Sequence, residues 1–391
     1  MQTDRPALFK RNLTLEHLLT MSDGMDWHEL DYPYTDSRNN LRQMWYSEDA
    51  IQHVLDTPMV REPGEAWAYN SGTSILLGGI LEQVSGRDVL TFAQEHLFDP
   101  LGIQDVRWDK TTGDHTHTDG GLYLTPRDMA RIGYLMLQGG SWDGRQIVSP
   151  EWVARSSTSH YPAPGYYGHG YKWWTLPVLD GYAATGHYEQ KIYVLPGADM
   201  VVVFTGYIED DEPHPTDALL FRYILRACTD LPTGTLMQHY ERYGLSVDYP
   251  VEFTVLEAPI PGRDSLSEAS GMVQFNLGFY PLEIINIVWE AAGADIDLAR
   301  YPEEFVAGLA QQSGATYQFR GRSESEQADH PMVLRTFEGT AGGVRFAGAT
   351  GAWHCPARER VYVVSYLTSP ATSDAALLDA LQDYTASVAC D

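Results

Sequence analysis

A tyrosine and a serine that lie two positions apart, directly before an apolar run, constrain this chain more than any other feature. Tyr69 and Ser71 lie near the end of the segment PGEAWAYNSG at 63–72, and the apolar run Ile75–Leu81 begins three residues later. The Pro-Gly pair predicts a turn, and the run predicts a helix that begins just behind the serine. The N-terminus of such a helix favours an oxyanion, so Tyr69 could act as a general base if cationic neighbours lower its pKa. A buried structural tyrosine before a core helix is the alternative.

Four motifs follow one another in a fixed order along the first half of the chain. They are LTLEHLLTMSDGMDW at 13–27, the Pro63–Gly86 segment, GGLYLTPRDMAR at 120–131 and GHGYKWW at 168–174. Together they resemble the serine hydrolases related to class C β-lactamases and penicillin-binding proteins, roughly from Asn12 to Gly206. The resemblance implies an α/β (α+β) fold that acts on small ester or peptide-like molecules. It also implies that Tyr69 stands in the base position and Ser71 in the third position of a Tyr-x-Asn/Ser element.

The nucleophile of that family, the serine of Ser-x-x-Lys, does not occur in this sequence. Three residues before the four lysines stand an alanine, an arginine, a histidine and a tyrosine, and a Gly-x-Ser-x-Gly elbow is absent as well. We therefore expect an N-terminally incomplete β-lactamase/transpeptidase-like domain that shows no acyl transfer above background. The alternative is a non-catalytic binding protein that uses the family's cleft for a peptide or a glycan.

The family's third motif is a second point of departure, and this sequence carries it as GHYEQKI at 186–192. The family usually has two glycines here, which let the substrate backbone approach a strand edge closely. Tyr188 and Glu189 stand in their place. His187 has either a site role or a structural one, and Glu189 would bring a carboxylate into the acyl pocket and repel a carboxylate-bearing β-lactam.

Two further groups of residues have both a site and a structural interpretation. The loop Asp114–Asp119, DHTHTD, offers two imidazoles and a carboxylate without a third ligand at diagnostic spacing, so we expect a solvated loop at the cleft rim and no metal. Nothing in the sequence predicts a cofactor. Several aromatic residues could line an apolar cleft or pack in the core: Trp27, Tyr161, Tyr166, Tyr167, Tyr171, Trp173 and Trp174.

Charge and cysteine content limit the partners and the compartment. A net charge of −27 argues against binding to nucleic acid or anionic lipid, and no apolar run reaches the ~20 residues of a membrane span. Cys228 lies in an apolar helical run and is expected in a core. Cys355 and Cys390 flank the last strand and helix, which favours a disulfide and an extracytoplasmic location, although Met1–Pro6 contains no secretory signal.

Periodicity predicts two domains, 1–236 and 245–391, separated by a break that begins at Leu231. In the first, helices precede adjacent antiparallel strands, and the helical run from Ala218 to Cys228 packs back on them. The second is an α+β module whose order of elements faintly resembles PsbP-like accessory domains. Its predicted strands are 251–256, 272–276, 316–320, 333–338, 344–349 and 360–366, and its predicted helices are 281–292, 302–312 and 373–389.

Overall fold

Two compact units, Met1–Tyr207 and Ile208–Asp391, make up the chain. The computed structural model describes residues 10–163, 167–208, 216–228, 236–251, 253–260, 265–276, 283–292, 296–327, 329–341, 344–368, 370, 372–385 and 388. The predicted bounds differ from this division, because they place residues 216–228 in the first domain. In the structure these residues belong to the second unit, where Arg222 forms two hydrogen bonds of 2.8 Å with Glu283.

Helices form most of the first half of the first unit, and polar side chains fix where they begin. Their bounds are α1 Leu15–Leu19, α2 Asn40–Trp45, α3 Ala50–Asp56, α4 Gly72–Ser85, α5 Val89–Ala93, α6 Pro126–Leu137 and α7 Pro150–Ser157. A π-helical turn, Gln94–Phe98, continues α5. Most of these helices have an N-cap side chain that accepts a backbone N–H, supplied by Thr14, Asn39, Asp49, Asp88, Thr125 and Ser149. Proline occupies the first position of α6 and of α7, directly after the N-caps Thr125 and Ser149.

A six-stranded antiparallel sheet completes the first unit. Two short hairpins precede it along the chain, β1 Arg107–Trp108 with β2 Leu122–Tyr123, and β3 Ser141–Trp142 with β4 Arg145–Gln146. The sheet strands are β5 Tyr161–Pro162, β6 Gly168–His169, β7 Trp174–Leu176, β8 Gly181–Gly186, β9 Gln190–Leu195 and β10 Met200–Phe204. Each strand pairs with the next one in the chain, and α6 packs against β9 and β10. The expected order, helices first and antiparallel strands after, is confirmed.

Three hairpin turns of the chain share one conformation. Each is a 3₁₀ turn that starts with proline and ends on a residue in the left-handed region: Pro177–Leu179 then Asp180 (φ 47°), Pro196–Ala198 then Asp199 (φ 45°), and Pro356–Arg358 then Glu359 (φ 49°). Proline suits the first position because its φ is already fixed near the helical value.

The second unit is built around a seven-stranded antiparallel sheet. Its helices are α8 Thr216–Leu219, α9 Leu225–Cys228, α10 Tyr301–Ser313 and α11 Asp374–Thr385. Its strands are β11 Met237–Arg242, β12 Leu245–Pro250, β13 Thr254–Ala258, β14 Ser270–Asn276, β15 Ile284–Ala291, β16 Thr316–Gln327, β17 His330–Ala341, β18 Val344–Cys355 and β19 Arg360–Thr368. The sheet order is β13-β14-β15-β19-β18-β17-β16, and β11 pairs with β12 separately. Alternate residues of the sheet pack with α10 and with α11, so these helices cover opposite faces.

Two predictions for these elements are wrong. The segment predicted as a helix at 281–292 forms β15, whose run Ile285–Trp289 is buried between β14 and β19. Hydrophobic periodicity cannot distinguish a helix from a strand in a short apolar run that is buried on both faces. The β-branched residues of this run favour the strand. Cys228 is exposed and free, because it lies on the last turn of α9 and not in a core.

The predicted Cys355–Cys390 disulfide stays a prediction, because Cys390 lies outside the described residues. Cys355 is fully buried at the end of β18. Among the described residues no helix is long and apolar enough to cross a membrane.

An open groove of about 640 Å³ lies along α4 in the first unit. Its apolar lining consists of Leu13, Leu15, Leu18, Ile51, Leu55, Leu76 and Ile80. Leu15 and Leu55 are 54% and 45% exposed.

Candidate active site

Tyr69 and Ser71 lie together at the start of α4, as the sequence predicts. Ser71 is the N-cap of the helix, and its hydroxyl is close enough to the phenol of Tyr69 to lower the pKa of that group. Gly72 follows because the backbone is too crowded for a side chain: a Cβ there would lie 2.8 Å from Val54 and 2.9 Å from Trp27. Packing of α4 against these neighbours therefore fixes the position of the serine.

Glu29 is bound to Ser71 by two hydrogen bonds. The Ser71 hydroxyl donates to Oε1 at 2.7 Å, and the Ser71 backbone N–H donates to Oε2 at 2.9 Å. The indole N–H of Trp27 also donates to Oε2, at 2.9 Å. Glu29 is 2% exposed and Ser71 is 6% exposed, so three donors hold a buried carboxylate in one orientation.

Two more carboxylates and one lysine surround this pair. Asp119 has a side chain that is 1% exposed and accepts the indole N–H of Trp45 at 3.0 Å. Asp23, also buried, accepts from the side chain of Asn70 at 3.1 Å. Lys172 interacts electrostatically with Asp23, Glu29 and Asp119. One cation therefore faces three buried carboxyl groups.

The Nζ of Lys172 donates a hydrogen bond to the hydroxyl of Thr73, on the first turn of α4. The backbone of Lys172 is in the left-handed region (φ 62°), and its N–H donates to the Leu19 carbonyl at 3.0 Å. Lysine rarely adopts this conformation, so the surrounding structure holds it there. The main chain of Lys172 is thus held by the end of α1, and its amine by the first turn of α4.

Burial perturbs the pKa of every one of these groups. It raises the pKa of Tyr69 to about 12, with the charge of Glu29 as the next cause. It raises the pKa of Glu29, Asp23 and Asp119, and it lowers the pKa of Lys172 to about 7. Clustered perturbed groups are characteristic of functional sites. The effect on Tyr69 is opposite to the lowered pKa that a general base needs, because burial disfavours the phenolate and the charges of Glu29 and Asp119 disfavour it further.

Aromatic rings form a wall beside the phenol of Tyr69. Trp174 stacks on it with a centroid distance of 5.6 Å, and Trp67 lies 6.4 Å from it. Tyr167 and His169 contact Trp174 at 5.6 and 5.7 Å, and burial lowers the pKa of His169 to about 3, so this imidazole is neutral at physiological pH. The wall is apolar and uncharged next to an acidic centre.

The remaining aromatic residues of the predicted cluster divide between cleft and core. Trp173 packs on Tyr182 in the core of the sheet, at 5.2 Å. Tyr171 is buried and donates to Glu16 at 2.6 Å, and the hydroxyl of Tyr161 donates to the Gly64 carbonyl at 2.9 Å. Trp27 is a buried structural residue through its bond to Glu29, and Tyr166 lies outside the described residues.

His187 has neighbours other than those of Tyr69 and Ser71. It is exposed, and its ring contacts Tyr34 at 5.1 Å and Tyr188 at 4.0 Å. Tyr188 and Glu189 both have positive φ, 60° and 68°, so the main chain keeps the shape that the family's glycines would give it. Glu189 is buried in an ion pair of 3.4 Å with Lys191, which occupies its carboxylate.

Sequence reasoning missed Glu29, Asp119 and Lys172 as members of the site. Lys172 lies in the motif at 168–174, and Asp119 ends the loop at 114–119 that was expected to be solvated. Neither position in the sequence indicated that its side chain lies beside Ser71. The loop is only partly solvated, since Asp119 is buried while His115 bonds Glu82 at 2.6 Å. Glu29 follows Trp27 by two residues, and a carboxylate at that spacing is compatible with an indole bond but does not predict one.

Curated relatives share short stretches with this chain. Lovastatin esterase from Penicillium rubens is 29% identical over 144 residues, which are 35% of this chain and 33% of the relative. 6-Aminohexanoate-dimer hydrolase from Paenarthrobacter ureafaciens is 29% identical over 153 residues, 34% of this chain and 38% of the relative. The chain thus spans about a third of the length of the curated relatives it matches.

Solved structures resemble part of the chain as well. A penicillin-binding protein from Bacillus halodurans is similar with a TM-score of 0.42 and 19% identity, over 55% of this chain and 73% of that one. The family model described as Beta-lactamase matches residues 4–229, more than half of the 391 residues. The chain therefore belongs to the family that this model describes, Beta-lactamase.

Proposed function

We propose that the first unit binds small ester or amide molecules beside Tyr69 and Ser71, and that the chain as given does not transfer acyl groups. The observation that carries the proposal is the Tyr69–Ser71 pair at the start of α4, next to the aromatic wall of Trp67 and Trp174. The wall suits an apolar acyl or alcohol group, and the hydroxyls suit a carbonyl. The names of the curated relatives, an esterase and a dimer hydrolase, agree with an ester or amide ligand.

We expect no turnover because the sequence lacks the family's nucleophilic serine and its lysine. The family's route needs a serine activated by a lysine one helical turn away, and no Ser-x-x-Lys occurs in the chain. The raised pKa of Tyr69 also leaves the phenol protonated at neutral pH. We expect release of nitrophenol from short p-nitrophenyl esters at the buffer rate, in the protein and in Tyr69→Phe alike.

Binding is measured separately, by tryptophan fluorescence titrated with short aryl amides. Trp174→Phe removes the ring that stacks on Tyr69 and should weaken binding, whereas Trp353→Phe, a buried tryptophan of the second unit, is the matched control. Ester hydrolysis that Tyr69→Phe abolishes would contradict the proposed inactivity. Equal affinity in the two tryptophan variants would contradict the proposed site.

A non-catalytic binding protein for a peptide or glycan is the second candidate. It is favoured by residues 188–189, where side chains replace the glycines through which a substrate backbone would approach the strand edge. Saturable binding of a peptidoglycan-type peptide with no binding of aryl amides would favour it over the first proposal.

An extracytoplasmic location is proposed because a Cys355–Cys390 disulfide would need an oxidising compartment, so one experiment tests both proposals. The protein contains three cysteines and Cys228 is free, so a bonded pair leaves one reactive thiol in the denatured, unreduced chain. Three reactive thiols after expression in an oxidising compartment would refute both.

A further inference from the structure

The strand β16 forms one edge of the seven-stranded sheet in the second unit. Among the strands that the structure describes, β17 is its one neighbour. β16 contains twelve residues, about twice the usual length of a strand. The outer N–H and C=O groups of an edge strand can pair with a further strand. This edge is therefore a place where a strand from another molecule can extend the sheet.

A β-bulge divides β16 into two parts. Its register against β17 shifts between Phe319 and Gly321, so Arg320 is the extra residue. The guanidinium of Arg320 is held within the unit by an ion pair of 2.7 Å with Asp374. Because a bulge interrupts the regular ladder of hydrogen bonds, the regular part of the strand is residues 321–327.

This regular part carries two opposite charges on one face of the sheet. Arg322 lies opposite Arg335 of β17, and Arg335 forms an ion pair of 2.8 Å with Glu303 of α10. Arg322 therefore points to the α10 side, and so does Glu324, two residues further along the strand. Like charges directly opposite each other are unfavourable, so an acidic neighbour at the outer edge would stabilise Arg322.

Antiparallel pairing of β16 with the same strand of a second copy supplies that neighbour. When Ser323 lies opposite its own counterpart, Arg322 faces Glu324 of the partner subunit, and the two-fold axis repeats the pair. Centring the pairing on Arg322 or on Glu324 instead places like charges opposite each other. We propose that two copies of this chain associate by antiparallel pairing of residues 321–325 of β16, in the register centred on Ser323.

The charge of the whole chain favours this edge as the meeting point. The net charge is −27, so two copies repel each other at long range. The segment 320–326 is neutral, because it contains two arginines and two glutamates. At physiological ionic strength charges more than about 8 Å apart are largely screened, whereas facing side chains of paired strands are closer than this. The association involves no residue of the proposed ester- or amide-binding site and is independent of it.

Charge reversal tests the pairing, by sedimentation equilibrium of the full chain at physiological ionic strength. We expect the wild-type chain to reach twice the mass of one chain as its concentration rises. Arg322→Glu and Glu324→Arg each place like charges opposite each other in a homodimer, so either variant alone should raise the Kd by about tenfold or more. An equimolar mixture of the two variants should associate like the wild type, because an acidic strand then faces a basic one.

Two further variants separate this effect from a general loss of structure. The double variant Arg322→Glu/Glu324→Arg restores the facing pairs and should associate like the wild type. Glu241→Arg is the matched control, because Glu241 lies on β11, outside the seven-stranded sheet, and its side chain is 80% exposed against 78% for Glu324. It should leave the association unchanged. Misfolded single variants would not regain association on mixing.

A disulfide cross-link measures the register. In a Cys228→Ser background, Ser323→Cys should form linked dimers under mild oxidation. Ser325→Cys should do so more slowly, because it lies opposite Gly321 of the partner subunit in the proposed register. A wild-type chain that stays monomeric up to its solubility limit, a mixture that associates no better than the single variants, or equal cross-linking at the two positions would overturn the proposal. Addition of an unrelated peptide strand to a monomeric chain would overturn it as well.

Discussion

Lys172 is the group whose replacement tests the electrostatics of the site most directly. Burial lowers its pKa from 10.5 to about 7, although three carboxyl groups act in the other direction. At about 1.4 kcal/mol per pKa unit, the ammonium form costs the folded state roughly 4–5 kcal/mol. Lys172→Met keeps the length of the side chain and removes the charge. Thr73 retains a partner in the variant, since its hydroxyl donates to the Asn70 carbonyl at 2.7 Å.

The pH dependence of stability gives the sign of this effect. The unfolded chain keeps Lys172 protonated up to its ordinary pKa of 10.5, whereas the folded chain releases the proton near pH 7. Between these values the unfolded state binds more protons, so stability rises with pH, and below pH 7 the full cost is present. Lys172→Met removes this cost but also loses the hydrogen bond to Thr73. We therefore expect the variant to stabilise the first unit by about 3 kcal/mol or more at pH 7. We also expect its stability to lose the dependence on pH that Lys172 causes.

Denaturant-dependent hydrogen exchange, read on peptides from α4 between pH 7 and 9.5, measures the first unit apart from the second. Lys191→Met is the matched control, because Lys191 pairs with the buried Glu189 at 3.4 Å. Removing one partner of a buried pair is destabilising, so the control should lose stability. A Lys172→Met variant that loses stability at pH 7, or that keeps the wild-type slope, would refute the reasoning.

Two further predictions concern packing and a buried ion pair. Gly78→Ala should destabilise the first unit by about 1–3 kcal/mol, because its Cβ would lie 2.5 Å from Thr118, whereas Gly308→Ala, in open space on α10, should stabilise the second by about 0.5–1 kcal/mol. Thermal denaturation of both variants checks the pair of signs. Arg222→Ala should cost about 2–3 kcal/mol because the partly buried carboxylate of Glu283 loses its cation. Glu283→Gln in the same background should restore part of this loss, as measured by calorimetry.

Local signals in the sequence predicted much of the first unit. Helix starts were visible because Thr125 and Ser149 precede proline, and the turn at 196–199 because proline and glycine fall between two apolar runs. The Tyr69–Ser71 contact was predictable since both residues lie on one short loop before a helix. These features depend on neighbours within a few positions.

The charges of the site could not be predicted in the same way. Glu29, Asp119 and Lys172 are up to 143 positions apart in the chain, and they meet only through packing of the loops against α4. The expected lowering of the Tyr69 pKa depended on a cation beside the phenol, and the surroundings are dominated by carboxylates instead. The wrong prediction of a helix at 281–292 has a related cause, because the segment is recognisable as a strand only from its pairing with β14 and β19.

The strand orders of the two sheets have a consequence for folding kinetics. In the first unit every strand from β5 to β10 pairs with its neighbour in the chain, so the sheet can grow by successive hairpins. In the second unit, the pairing of β15 with β19 joins Ala291 to Arg360, and the helix α10 and three strands must be accommodated between them. Closing that long loop lowers the chain entropy before the contacts between the two strands can stabilise the pair. We therefore expect the β15–β19 pairing to limit the folding rate of the second sheet, whereas the strand pairs of the first sheet are all close in sequence.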